Sequence, residues 1–180
     1  MPINKKQIAW LIRDKYNGHK PRSLVVDRRR LRKGEPLDYI VGWKPFLGCQ
    51  IDLSQKPLIP RPETEFWADL AIKNITKQAG CQLRILDIFA GSGCVGIAVL
   101  KNIPKTEVIF AEKSLKFCQQ IKINCRLNKI SPERYKIIQS DIFAQVRGRY
   151  DYILANPPYI ATKNKNWVRK SVLLFEPKNA

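Results

Sequence analysis

The run RILDIFAGSGCVGIAVLKNIP (84–104) constrains the fold of this chain more than any other stretch. RILDIFA (84–90) packs apolar residues around one aspartate and reads as a short buried strand. Three glycines follow within six residues, and the apolar-periodic SGCVGIAVLKNI (92–103) then reads as a helix closed by Pro104. The same alternation repeats downstream. EVIFAE (107–112) is a second strand, SLKFCQQIKINCRLN (114–128) a second helix, and RYKIIQSD (134–141) and YDYILAN (150–156) are two more strands. Strands alternating with helices predict right-handed βαβ units, hence an α/β fold around a parallel sheet. The sheet is expected to be truncated after about four strands, with YDYILAN placed centrally and left without an outer neighbour. An unpaired apolar edge of that kind invites self-association or a partner chain.

Upstream, INKKQIAWLIRDKY (3–16) spaces Ile3, Ile8, Leu11 and Ile12 as a short amphipathic helix. The β-prone stretch 37–60, with Gly and Pro at its bends, reads as a hairpin or extended linker. Pro62 with Glu63 and Glu65 opens a helix running to about Ala79. The expected organisation is a basic helical arm (1–34), a β-hairpin linker (35–60) and an α/β domain (61–180).

Gly91, Gly93 and Gly96 fit G-x-G-x-x-G between a strand and a helix, a context that binds nucleotide cofactors but also arises from close packing alone. Three carboxylates sharpen it. Asp87, at the tip of the first strand, discourages a pyrophosphate and suits the cationic amino group of S-adenosylmethionine. Glu112 ends the second strand, where an acid accepts both ribose hydroxyls. Asp141 ends the third and suits an adenine amino group. At the fourth strand end stand Asn156, Pro157, Pro158 and Tyr159. A planar NH2 group holds its lone pair in conjugation and is a poor nucleophile. Asn156 and the Pro157 carbonyl can each accept one of its N–H bonds, the prolines hold those acceptors rigid, and Tyr159 can lie against the planar group. Asn156, Pro157 and Tyr159 are therefore the expected catalytic residues. Asp87, Gly91, Gly93, Glu112, Asp141 and Asn156 form the expected cofactor site. Glutamine amides and exposed adenines both present such a group.

The net charge is +18, with eleven Lys and Arg against two acids in residues 1–34. This is a footprint for RNA or the ribosome, or a solvated basic surface. Five cysteines, odd in number and without a CxxC pair, argue against a disulfide framework and a zinc site, so no metal is expected. No apolar run approaches a membrane span, the N-terminus lacks the apolar core of a secretory signal, and a reducing cytoplasm fits.

The segments GEPLDYIVGWKPFLGCQIDL (34–53), LIPRPETE (58–65), ILDIFAGSGCVGIAV (85–99), SDIF (140–143), NPPYIA (156–161) and FEPKNA (175–180) together resemble the HemK/PrmC-type protein-(glutamine-N5) methyltransferases, which modify peptide chain release factors. The resemblance implies a Rossmann-like S-adenosylmethionine-dependent methyltransferase domain. It places Arg61, Thr64 and Glu65 at the mouth of the active site, and Asn156, Pro157, Pro158 and Tyr159 around the substrate glutamine. The expected partner is a release factor. N6-methylation of adenine in RNA or DNA is the alternative, and a catalytically incomplete cofactor- or ribosome-binding protein is a third.

Overall fold

The computed structural model describes residues 3–78, 82–158 and 169–177. In chain order the elements are α1 (Lys5–Lys15), α2 (Val25–Arg32), α3 (Leu37–Val41), β1 (Trp43–Phe46), β2 (Cys49–Asp52), α4 (Pro62–Gln78), β3 (Leu83–Ile88), α5 (Cys94–Asn102), β4 (Thr106–Glu112), α6 (Leu115–Leu127), β5 (Tyr135–Gln139), β6 (Tyr152–Ala155) and α7 (Lys170–Phe175). Strands β5-β4-β3-β6 form a parallel sheet in that order, and β1-β2 form an antiparallel hairpin.

The main core lies on one face of the sheet. Ile85, Val108 and Phe110 meet Ile97, Ala98, Val99 and Leu100 of α5, Ile121 and Cys125 of α6, and Phe46 and Ile51 of the hairpin. Burying each such side chain contributes about 1.5–3 kcal/mol. Leu86, Ile88, Ile109 and Ala111 fill the opposite face beneath Val146 and Tyr150. Every residue of α5 from Cys94 to Leu100 is buried, which explains why its apolar pattern has no polar face.

Several elements differ from the sequence expectation. Residues 25–32 form a second basic helix because Asp27 and Leu31 turn inward. The Asp27 carboxylate accepts hydrogen bonds from Lys15 Nζ (2.7 Å) and the Tyr16 hydroxyl. Residues 37–41 are helical rather than extended. Pro36 leads into the turn, Tyr39 and Ile40 are buried, and Gly42 at φ 97° ends it after one turn. Strand β3 stops at Ile88, earlier than expected, as Phe89 takes a left-handed φ of 59°. Strand β6 ends the sheet order instead of sitting centrally. Leu154 is buried, but Ile153 on its other face is 54% exposed.

The hairpin is docked rather than tethered. Gln120, Asn124 and Asn128 stand at i, i+4 and i+8 on one side of α6, and all are buried. Asn128 accepts from Gln50 N (2.9 Å) and donates to Gln50 O (2.8 Å). Asn124 accepts from Asp52 N (2.8 Å) and donates to Asp52 O (3.2 Å) and to Ser92 O (2.9 Å) in the glycine loop. Gln120 accepts from Gln55 N (2.8 Å) and donates to Asp52 Oδ1 (3.0 Å). Asn124 and Asn128 serve the free edge of β2 as a neighbouring strand would, and Gln120 extends the row to the turn beyond it, which satisfies backbone groups that burial would otherwise penalise.

Candidate active site

Parallel strands deliver their C-terminal ends to one rim of the sheet. The order β5-β4-β3-β6 therefore sets Asp141, Glu112, Asp87 and Asn156 in that lateral sequence. With neighbouring strands ~4.8 Å apart, the row spans roughly 14 Å. A cavity of about 620 Å³ runs along this rim. All four residues line it, together with Gly91, Arg61, Thr64, Pro157 and Pro158.

Asp87 is 3% exposed, and its Oδ2 accepts the Gly96 N–H at 2.9 Å. Burial pushes its carboxyl up to about 7, the Gly96 amide opposes the rise, and the nearby Glu112 charge adds to it. Among the described residues no Lys or Arg pairs with it. A buried acid without a cation is suited to a ligand that brings one. Glycine at position 96 follows from the same geometry, since a Cβ there would lie 2.4 Å from Phe110 Cε1 and 2.9 Å from Asp87 Oδ2.

Glu112 uses both oxygens to shape the loop. Oε2 accepts from Gly91 N (2.8 Å) and Oε1 from Ser114 N (2.7 Å). Each oxygen keeps a second lone pair for hydroxyl donors. Asp141 is paired with Lys113 Nζ at 2.7 Å, both side chains being largely exposed. A pair so exposed contributes little and exchanges readily for a ligand donor.

On the β6 side, Asn156 Nδ2 donates to Thr64 Oγ1 at 3.4 Å, which leaves Oδ1 available as an acceptor. Arg61 lines the same end, with Nη2 bonded to Glu176 Oε1 at 2.6 Å. Two of the expected site residues stand behind the wall instead. Glu65 does not line the cavity: its Oε1 accepts from Leu47 N (2.9 Å) and braces the hairpin turn, where Leu47 adopts φ 44°. Gly93 is the left-handed N-cap of α5 (φ 77°), packed so that a Cβ would meet Ile121 and Ile97 at 3.1–3.2 Å. Tyr159 lies outside the described residues.

Sequence reasoning missed the apolar lining residues Phe89, Phe117 and Ile142, as well as Glu176 behind the wall. Phe89 and Ile142 are both left-handed, at φ 59° and 49°. For a residue with a Cβ that conformation costs roughly 1–2 kcal/mol, and such strain collects at functional sites. Only the FEP tripeptide at 175–177 signalled Glu176, without indicating a role.

Among the described residues no cluster could hold a metal, no helix is long and apolar enough to cross a membrane, and Cys49, Cys94, Cys118 and Cys125 are buried free thiols.

Residues 65–174 match the family model described as methyltransferase small domain. The chain is 31% identical over 175 residues to the release factor glutamine methyltransferase of Lactococcus lactis, covering 97% of this chain and 63% of that protein. It is 34% identical to that of Flavobacterium psychrophilum (82% and 52%) and 36% identical to that of Fusobacterium nucleatum (90% and 45%). The chain thus spans about half to under two thirds of the length of these relatives. Among solved structures, the ribosomal protein L11 methylase of Lactobacillus delbrueckii overlays 54% of this chain and 47% of its own, at 26% identity and a TM-score of 0.46.

Proposed function

The chain belongs to the methyltransferase small domain family, and on that footing we propose that it binds S-adenosylmethionine and methylates the N5 nitrogen of a glutamine side chain in a peptide chain release factor. The observation that carries the reading is the order of groups along the rim: acid, acid, buried acid, then amide acceptor. Bound there, S-adenosylmethionine supplies an electrophilic methyl on a sulfonium. Asp141 accepts from the adenine amino group, Glu112 from the ribose hydroxyls, and Asp87 pairs with the amino group of the methionine part. That last contact provides the cation which the buried carboxyl lacks. On this reading the methyl would face Asn156.

Asn156 Oδ1 and the Pro157 carbonyl accept the two N–H bonds of the acceptor amide. Those bonds localise the nitrogen lone pair as positive charge develops, and they hold it in line with the methyl. Thr64 fixes the Asn156 rotamer by accepting from Nδ2. With the cofactor held by Asp87, Glu112 and Asp141, its methyl would pass to the amide nitrogen held by Asn156 and Pro157, the electron pair of the broken methyl–sulfur bond would stay on sulfur, and the nitrogen would release its proton to water. Tyr159 is assigned the stacking role beside the amide.

Similarity to release factor glutamine methyltransferases supports a role for the reaction in translation termination. Contact of the arm with RNA is the second part of the proposal. Arg28, Arg29, Arg32 and Lys33 are exposed along one arc of α2, and among the described residues none has a carboxylate within ion-pair distance. Association through the β6 side is the third, carried by the exposed Ile153.

The test pairs two variants. Glu112→Ala weakens S-adenosylmethionine binding by about 1–3 kcal/mol in calorimetry. Asn156→Ala leaves that affinity within about twofold and abolishes transfer of a labelled methyl to a release factor. The reverse pattern sinks the assignment, and label appearing on RNA adenines replaces the acceptor.

A further inference from the structure

The segment 54–61 forms no helix or strand, yet its last four residues wall the acceptor end of the cavity. Residues remote in sequence pin it. Gln120 accepts from Gln55 N, Glu35 pairs with Lys56 Nζ at 3.2 Å, and the Tyr39 hydroxyl donates to Pro57 O at 2.7 Å. Glu176 takes the last two positions. Its Oε2 accepts from Ile59 N at 3.1 Å, and its Oε1 accepts from Arg61 Nη2 at 2.6 Å. The Glu176 side chain is 1% exposed, and that of Arg61 is 34% exposed.

A carboxylate this deeply buried persists only when it is both paired and hydrogen-bonded, and here one turn of chain supplies both partners. The consequence reaches the cavity. A guanidinium is a rigid planar fork, so fixing it through Nη2 sets the plane of its remaining donors as well. Arg61 lines the cavity with Thr64 and Asn156, while Glu176 stands behind it.

We propose that Glu176 is a positioning residue that determines acceptor specificity: it holds the Ile59–Arg61 turn so that the Arg61 fork meets a carbonyl oxygen of the incoming protein segment. This rests on the amide reading of the site. Asn156 and Pro157 accept from an NH2 group, and Arg61 donates to a C=O group near it. A carboxamide on a peptide segment offers both kinds of partner. An adenine offers the fork only ring nitrogens in the plane of the base beside its amino group, and no peptide carbonyl, so the two acceptors differ in the partner that Arg61 meets.

The experiment uses the full chain with S-adenosylmethionine and a purified release factor, and compares Glu176→Gln, Arg61→Ala and the double variant. Glu176→Gln preserves shape but removes the charge that holds the guanidinium. It is expected to raise KM for the release factor at least tenfold with kcat within threefold and the cofactor Kd within twofold. The double variant is expected to match Arg61→Ala alone, because both changes remove one coupling. Hydrogen exchange at residues 57–61 is expected to rise about tenfold in Glu176→Gln without acceleration in β3 or β4. Unchanged KM and exchange overturn the proposal. So does parallel loss of cofactor binding and melting temperature, which marks general fold support. If the parent protein binds the cofactor but methylates no release factor, the acceptor assignment fails separately, and the exchange measurement still decides whether Glu176 holds the turn.

Discussion

Gly96→Ala separates local propensity from the packing that builds the site. In an exposed helix this change stabilises by about 1 kcal/mol. Position 96 lies inside α5 with a donor role: its N–H bonds Asp87 Oδ2 at 2.9 Å. The added Cβ would sit 2.4 Å and 2.9 Å from two carbons of the Phe110 ring, where ordinary contact is ~3.5–4 Å. Phe110 is wholly buried on β4, with Tyr135 edge-on at 6.4 Å between centroids, so the ring has no direction of escape. Overpacking of this kind costs about 1–3 kcal/mol. Displacing α5 to relieve it stretches the charged hydrogen bond, worth about 1.5–3 kcal/mol. After the gain in propensity, a net loss of roughly 1.5–5 kcal/mol remains. At ~2–4 °C per kcal/mol for a chain of this size, the melting temperature falls by roughly 3–20 °C in calorimetric scans. S-adenosylmethionine affinity falls at least tenfold in the same variant, because Asp87 loses its fixed orientation. A melting temperature that rises, or a drop with cofactor affinity intact, refutes the packing argument.

The Asp87 carboxyl, raised by burial to about 7, gives two pH dependences of opposite sign. Between the unfolded carboxyl value near 4 and about 7 the folded chain holds a proton that the unfolded chain has released, so stability falls as pH rises, by at most about 1.4 kcal/mol per unit. Cofactor affinity instead rises with pH up to about 7, since the ionised carboxylate pairs with the ligand amino group; Asp87→Asn flattens both curves in paired melting and titration series, and persistence of either excludes Asp87 as its source. Asn124→Ala strands the Asp52 amide and carbonyl and the Ser92 carbonyl. It costs about 2–4 kcal/mol in urea unfolding and loosens the glycine loop, whereas a loss below 0.5 kcal/mol refutes the view of the amide ladder as a surrogate strand.

What the sequence disclosed was chemistry written in contiguous stretches. Asp87, Glu112 and Asp141 each sit at or just past the C-terminal end of a strand, so knowing that the strands are parallel is enough to bring them to one rim. Asn156 joins them by the same rule, although its strand lies at the end of the order rather than in the middle. The lateral order of these four strand ends does not depend on what stands beyond β6.

Contacts bridging long separations were not legible. Gln120, Asn124 and Asn128 repeat every four residues on a helix whose polar face would ordinarily meet water. Nothing in α6 itself says that a hairpin more than 60 residues upstream covers that face. The hexapeptide PRPETE shows the limit most sharply. The family resemblance places Arg61, Thr64 and Glu65 together at the mouth of the site, without distinguishing their roles. Two lining residues and one brace result, because the Leu47 amide at the hairpin turn has no donor-acceptor partner in its own strand and draws the Glu65 carboxylate to it. Glu176 does the corresponding work for Arg61 from 115 residues away. The resemblance covered both segments, but their contact is a property of the folded chain. The acceptor wall is accordingly the part of this site on which a substitution far from the rim has the greatest leverage: the cofactor acids are set by strands, while Arg61 is set by a single buried carboxylate.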